Sequence, residues 1–501
     1  MSAAVNDKSD TGFDFELTLG KVLVGRIDEC NKLISVERLS GGASQETYRI
    51  CIDTANGEKL LAMRRAAGGV KVVPMPGHPG LDVEALLMQS ASTVSVPVPQ
   101  IYHVLEDEDG LGDGFIMSWL EGEALGARIN RAPQYQQVRE TLAYECGKNL
   151  ARIHQIDLVA TGLDKRLAVI TPKEFIEQTW HRYIAFNSPH PMIDYTARWL
   201  LQNLPTEHKF SLVHNDFRNG NFMIDESGIV AVLDWELAHI GDPMRDLGWI
   251  CVNSWRFGGT DPVGGFGSYE DLFRGYEEVS GSRVDPAQVK YWEVFGSFWW
   301  AVGCLGMAEH YRTGPDKTVE RPGIGRRSSE CQIDCVNLLI PGPVVPLDPA
   351  PGPIDLDMPG TDELISSVRD FLRNDVMSET SGRINFMARV ASNSLDIVLR
   401  ELDLGGPAKQ QEMVSLAALL SDNDNPAENP AENPADNGAS SPGDLSLGDL
   451  RWQLTTKLRN GEMSLDNPQL QAHLRQAVTN QITIDQPRYT GLKTALEFTS
   501  N

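Results

Sequence analysis

The segment Leu212–Leu247, LVHNDFRNGNFMIDESGIVAVLDWELAHIGDPMRDL, constrains this chain more than any other. It sets His214-x-Asp216-x4-Asn221 ahead of a strand–turn–strand pattern, with Glu226-Ser227-Gly228 at the turn and Asp234 directly after it. A hairpin there turns the chain back, so Asp234 is expected beside Asn221. Asp216 and Asn221 stand at opposite ends of one short loop. Two acids and an amide in this order suit phosphoryl transfer. One carboxylate, Asp216, orients a hydroxyl and accepts its proton, while Asn221 and Asp234 hold the divalent cation that screens the phosphates. Their oxygens are the hard donors that Mg²⁺ prefers. A lone H-x-D is common; the order and spacing together are specific. For Asp242 and Asp246 two roles stay open: capping the helix that Asp242-Pro243 announces, or supporting the chemistry directly.

The rest of the chain reads as a strand-rich part followed by helices. Residues 1–27 form a lead or a short first helix. Leu33–Leu39, Thr47–Ile52, Lys59–Arg64, Ile101–Glu106 and Phe115–Leu120 read as strands, with a small-residue turn at Ser40–Ser44, a hairpin turn at Ala55-Asn56-Gly57 and a helix at Leu81–Ser92. From about Pro133 the spacing turns helical, and Trp249, Trp255, Trp292, Trp299 and Trp300 are expected in a core. Residues 341–360 are dense in Pro and Gly and read as a linker. Thr361–Asn374 and Gly382–Leu404 read as amphipathic helices, and Leu445–Thr494 completes a helical domain. Between them, residues 421–444 form an acidic Asn/Pro/Ala tract with an NPAE repeat, expected to be disordered.

These motifs resemble the aminoglycoside phosphotransferase/choline kinase family, relatives of the protein kinases. The catalytic loop matches as His214–Asn221 and the metal-binding Asp as Asp234. The blocks LDWELAHIGDPMRDLGW and LLAMRRAAGG are similar, more narrowly, to kinase-like domains associated with acyl-CoA dehydrogenases. The resemblance covers roughly residues 28–335, and PRYTGL (Pro487–Leu492) resembles a helical domain of unknown role that follows such domains in bacteria. The implied fold is α+β and bilobal: a small antiparallel-sheet N-lobe (28–120), a mostly helical C-lobe (121–340), and a small C-terminal all-α domain (361–501).

In that fold the first turn covers the nucleotide phosphates, a role for Ser40, Gly41, Gly42 and Ser44, where the glycines permit close backbone approach. The third strand brings a cation to the phosphates, paired with a helix Glu. Here Arg64 stands where the family often has Lys, with Glu84 as partner. Arg65 is the alternative, since strand alternation lets only one of the two face the cleft. Met117, Ser118 and Leu120 fall at the hinge whose backbone meets adenine. His214 supports the loop. Trp180, His181, Trp255 and Tyr311 are candidate acceptor-pocket walls, though each suits a packing role better.

The resemblance implies ATP and Mg²⁺ as cofactors and a hydroxyl on a small molecule as acceptor: a hydroxyacyl-CoA or related hydroxy acid, or else an aminoglycoside or other alcohol. A nucleotide-binding pseudokinase or scaffold for a partner enzyme is the competing class, and Arg64 is the feature that feeds it. No D-F-G or A-P-E occurs where a protein kinase carries its activation loop. With 44 basic against 69 acidic residues, the net charge of −25 disfavours nucleic acid and anionic membranes as partners. No apolar stretch approaches a membrane span, and seven scattered cysteines suit a reduced, cytoplasmic setting. Cys331 and Cys335 read as structural.

Overall fold

A computed structural model describes residues 14–39, 45–71, 78–206, 209–349, 357–422 and 445–498. The Ser40–Ser44 turn and residues 423–444 of the acidic tract lie outside them. The chain divides into two compact units, Met1–Val169 with Phe210–Pro243 and Arg274–Ser282, and Ile170–Lys209 with Met244–Phe273 and Arg283–Asn501.

The first unit is built on a five-stranded antiparallel sheet. Its strands are β1 (Lys32–Arg38), β2 (Gln45–Thr54), β3 (Gly57–Ala66), β4 (Ile101–Val104) and β5 (Gly114–Ser118), in the spatial order β1-β2-β3-β5-β4. Along β2, Glu46, Tyr48, Ile50, Ile52 and Thr54 are buried while the residues between them are more open, which is the two-residue period of a pleated strand. The lead forms helix α1 (Phe15–Arg26), whose first turn is capped by Asp14 accepting from the Leu17 N–H. Leu19, Val22 and Leu23 of α1 pack with Ile50, Ile52, Leu61, Met63 and Ile116 in one apolar cluster. Helix α2 (Leu81–Thr93) carries Glu84, which is buried.

Two short ladders complete the part of this unit that matters for function. Strand β6 (Ser211–Val213) pairs with β9 (His239–Gly241), and β7 (Phe222–Asp225) with β8 (Gly228–Val232), all antiparallel. The hairpin closes with Asp225 opposite Gly228, and Asp225 Oδ1 accepts from the Ser227 N–H at 2.7 Å. Residues 214–221 and 233–238 thereby become the two loops joining one ladder to the other.

The second unit is helical: α4 (Pro172–Ala185), α5 (Pro191–Gln202), α6 (Met244–Cys251), α7 (Pro286–Thr313), α8 (Glu320–Arg326), α9 (Ser328–Leu339), α10 (Thr361–Phe371), α11 (Gly382–Asp422), α12 (Leu447–Arg459), α13 (Pro468–Asp485) and α14 (Thr490–Glu497); α3 (Gln136–His154) belongs to the first unit. Trp249, Trp255 and Trp292 are buried, and Trp299 and Trp300 half-buried. The buried Arg245 guanidinium sits 4.5 Å from the Trp249 ring centroid and 5.2 Å from that of Phe295.

The C-terminal helices are not a separate body within this unit. One apolar cluster joins Met192, Tyr195, Ile333 and Val336 to Leu416, Leu454, Leu470, Ile482 and Leu492. The second predicted amphipathic helix runs to Asp422 and contains Pro407, well past the expected end at Leu404. On its first half Ala388 and Ser392 are buried while Ile384, Val398 and Leu402 are exposed; further along, Leu416, Leu419 and Leu420 are buried. Among the described residues no helix is long and apolar enough to cross a membrane.

Candidate active site

The site lies within the first unit, on the loops between the two short ladders and on the facing sheet. Its support is His214, which is fully buried. The Asp216 N–H donates to Nδ1 at 3.2 Å, which leaves Nε2 to donate its proton to Leu233 O at 3.1 Å. The ring also packs 4.5 Å from the Trp235 ring centroid. One imidazole therefore ties the loop carrying Asp216 to the residue just before Asp234.

Asn221 makes the second tie. Its N–H donates to Arg218 O at 2.9 Å, and its carbonyl accepts from the Leu233 N–H at 2.8 Å. Its side-chain Nδ2 donates to Asp216 O at 3.0 Å and to Asp216 Oδ2. With the amide nitrogen so committed, Oδ1 is the atom left for a cation. Arg218 Nε donates to the other Asp216 oxygen at 3.1 Å. Asn215 and Asp234 both have positive φ, 65° and 66°. Left-handed backbone at two non-glycine positions, one in each loop, costs conformational energy that the surrounding bonds hold in place.

The sheet supplies the facing charges. Alternation along β3 sends Arg64 and Arg65 to opposite faces. Arg65 Nε donates to Leu111 O at 2.6 Å, and its guanidinium lies 5.0 Å from the Phe15 ring centroid, on the α1 side. Arg64 Nη2 donates to Asp234 Oδ1 at 2.6 Å, and the guanidinium lies 3.6 Å from Glu84 and 3.7 Å from Glu236. Arg64 Nε also donates to Gln45 Oε1, and Gln45 Nε2 reaches Glu84 at 3.2 Å and Glu236 at 3.3 Å. Burial pushes the Glu84 carboxyl up to about 7, against the pull of Arg64 and Gln45. Burial and repulsion by Asp234 raise Glu236 as well. For Arg64, burial disfavours the charge, but Glu84 and Asp234 outweigh it and raise the pKa.

Asp216, Asn221, Asp234, Arg64 and Glu84 are thus gathered in one region of this unit. Met117 and Ser118 end β5 opposite Ala62 and Leu61, and Leu120 follows. The Ser118 N–H already donates to Gln100 O at 2.8 Å. Asp242 follows β9, Asp246 opens α6, and both are buried. Of the candidate wall residues, Trp180 donates from Nε1 to Asp194, Trp255 is buried, His181 is exposed and Tyr311 lines a cavity described below.

Residues 35–281 match the profile of the phosphotransferase enzyme family. The chain carries a phosphotransferase domain of that family. Residues 378–489 match a domain of unknown function, DUF6285. Mouse acyl-CoA dehydrogenase family member 10 is 29% identical over 222 residues, which is 42% of this chain and 20% of that protein. The probable acyl-CoA dehydrogenase IBR3 of Arabidopsis thaliana is 25% identical over 316 residues, 57% of this chain and 37% of that protein. The chain therefore spans well under half the length of these relatives. A candidate aminoglycoside phosphotransferase from Ralstonia eutropha superposes with a TM-score of 0.52 at 23% identity, covering 63% of this chain and 95% of that one, which shows the shared fold.

Two participants in the site of the phosphotransferase domain escaped sequence reasoning. Gln45 directly follows the Ser40–Ser44 turn, a position from which a side chain can reach the cleft. Glu236 stands two residues beyond Asp234 in the acidic LDWE block. Both positions offered a signal in retrospect, since each adjoins a motif already singled out.

Proposed function

We propose that the phosphotransferase domain transfers the γ-phosphoryl group of ATP to a hydroxyl of a small molecule. The observation that carries this reading is the Asp216–Asn221 pair bonded to the strand end that presents Asp234. Asp216 is the residue that orients the acceptor hydroxyl and takes its proton, held by Arg218 and Asn221 so that one geometry is retained. Asn221 Oδ1 and the carboxylate of Asp234, with Glu236 beside it, form an all-oxygen donor set that suits Mg²⁺. When bound, the ion supplies charge screening at the phosphates. Arg64, paired with Glu84, is the cation for the phosphates, and the backbone at Met117 and Leu120 meets the base. His214 and Asp242 support the loops.

The acceptor we favour is a hydroxyacyl-CoA or related hydroxy acid, on the strength of the similarity to acyl-CoA dehydrogenase family members, which also suggests such a dehydrogenase as functional partner. Purified protein with Mg²⁺-ATP is expected to phosphorylate one member of a hydroxyacyl-CoA panel, and Asp216→Ala to abolish turnover. Turnover of aminoglycosides alone would replace the acceptor and keep the chemistry.

One observation favours a second reading, a nucleotide-binding scaffold: the Arg64 guanidinium already occupies the carboxylate that a metal needs. Nucleotide binding without turnover of any hydroxylated acceptor would establish it.

A further inference from the structure

A cavity of about 590 Å³ lies inside the second unit, within the roughly 300–1,000 Å³ common for small-molecule sites. Its walls come from the loop joining α4 to α5, the end of α7, α8, α9, and residues of α11, α12 and α13. The phosphotransferase match ends at residue 281 and the DUF6285 match starts at 378, so neither region forms this cavity alone.

Two features define what would fit. The first is charge. Three arginines and three acids line the cavity, and each is paired with an opposite charge. Arg451 forks onto Glu412 at 2.6 and 2.5 Å. Arg326 lies 3.4 Å from Asp485 and 3.0 Å from Glu401, and Arg312 lies 3.9 Å from Glu309. An ionic ligand would have to break one of these pairs and leave a charge uncompensated, a costly change in a half-enclosed site. The second is the remaining wall. Phe186, Met192, Leu305, Leu474 and Val478 are apolar. Among them stands His473, 4% exposed, whose Nδ1 is engaged by Ser415 Oγ at 2.8 Å and whose Nε2 makes no hydrogen bond among the described residues. Burial lowers the pKa of His473, and likewise that of His190, which also lines the cavity, to about 4, so both rings are neutral near pH 7.

The Ser415 hydroxyl donates to Glu412 O at 3.0 Å, so its oxygen accepts from His473 Nδ1–H and leaves Nε2 as an acceptor. We propose that this cavity binds an uncharged amphipathic molecule, an alkyl body seated on the apolar wall with one hydroxyl or amide N–H donating to His473 Nε2. Such a site gives the DUF6285 region a ligand-binding role that is independent of the phosphoryl-transfer reading.

The test is calorimetric titration of the full-length chain at pH 7.5 with three equal-length probes: 1-octanol, octanoate and octylammonium. The alcohol is expected to bind at one saturable site at least 10-fold more tightly than either ion. Ala477→Trp, which fills the cavity, should abolish that binding. His473→Phe, which keeps the apolar wall, should weaken it several-fold, with thermal melts confirming that each variant folds. If Ala477→Trp does not fold, His473→Phe and the probe series decide. Equal or tighter binding of either ion, absence of alcohol binding up to its solubility, or unchanged alcohol affinity in the folded variants would overturn the proposal.

Discussion

The guanidinium of Arg64 donates to Asp234 Oδ1 at 2.6 Å, so the cation proposed for the phosphates and the carboxylate proposed for the metal neutralise each other in the free protein. Mg²⁺ must then compete with an internal counter-ion. Arg64→Gln removes that competitor and also removes the phosphate cation. It should therefore strengthen Mn²⁺ binding several-fold without nucleotide and weaken ATP binding by at least 10-fold. Titration of Mn²⁺ by electron paramagnetic resonance, alongside ATP titration, checks both directions. Unchanged Mn²⁺ affinity would place the metal away from Asp234.

Much of this arrangement was legible in the sequence because it rests on local patterns. Alternation along β3 required that only one of Arg64 and Arg65 face the cleft but not which one, and the contact of Arg64 with Asp234 decides it. A hairpin turn between Asn221 and Asp234 was enough to bring the two loops together. The Gln45 and Glu236 contacts were not legible, since a single side chain reaching across from another element leaves no periodic trace. The same holds for the C-terminal helices: their amphipathic faces announce burial but not against what. That they share one core with Met192, Tyr195, Ile333 and Val336 depends on tertiary packing alone. The extension of α11 through Gly405-Gly406-Pro407 is a case of tertiary context overriding local helix-breaking preference.

Gly248 of α6 sits directly against the backbone of α7. A Cβ there would stand 2.6 Å from the backbone carbonyl carbon of Trp292 and 2.7 Å from the Glu293 nitrogen. Neither backbone atom can move aside cheaply, so Gly248→Ala should destabilise the second unit by about 1–3 kcal/mol despite its better helix propensity. Urea denaturation monitored by tryptophan fluorescence checks this, and a stabilised variant would mean that α6 and α7 can separate without penalty.

Asp194 anchors α12 to α5. It is fully buried and receives Arg459 Nε at 2.8 Å, Trp180 Nε1 at 2.8 Å and the Tyr183 hydroxyl at 3.1 Å. Asp194→Ala would leave Arg459 without its carboxylate in a largely enclosed position, which should cost about 3–5 kcal/mol. Because the core is shared, the C-terminal helices should loosen together, seen as early proteolysis within residues 445–498. Limited proteolysis at matched denaturant concentration tests it; an unchanged digestion pattern would show that Arg459 finds another partner.

Asp334 of α9 gives the second unit a pH dependence of defined sign. It is 5% exposed, with the Tyr489 hydroxyl donating to Oδ2 at 2.6 Å and Asn253 Nδ2 donating to Oδ1 at 2.9 Å. Burial pushes its carboxyl up to about 7, more than those bonds and Arg256 pull it down. Between the ordinary carboxylate value near 4 and about 7, the folded chain therefore holds a proton that the unfolded chain releases. Stability falls as pH rises through that window and levels off above it. Glu293, also raised to about 7 by burial, acts in the same direction, while His190 and His473, lowered to about 4, act in the opposite one. The contribution of Asp334 is isolated by difference. Asp334→Asn cannot ionise, so relative to the parent it should gain on the order of 2 kcal/mol between pH 5 and pH 8. At pH 5 it should match the parent closely, because a protonated carboxyl and an amide each offer Asn253 one acceptor oxygen and Tyr489 one donor. Urea unfolding of both proteins at the two pH values measures the difference, and a difference that does not change with pH would mean that Asp334 is already ionised in the folded chain at pH 5.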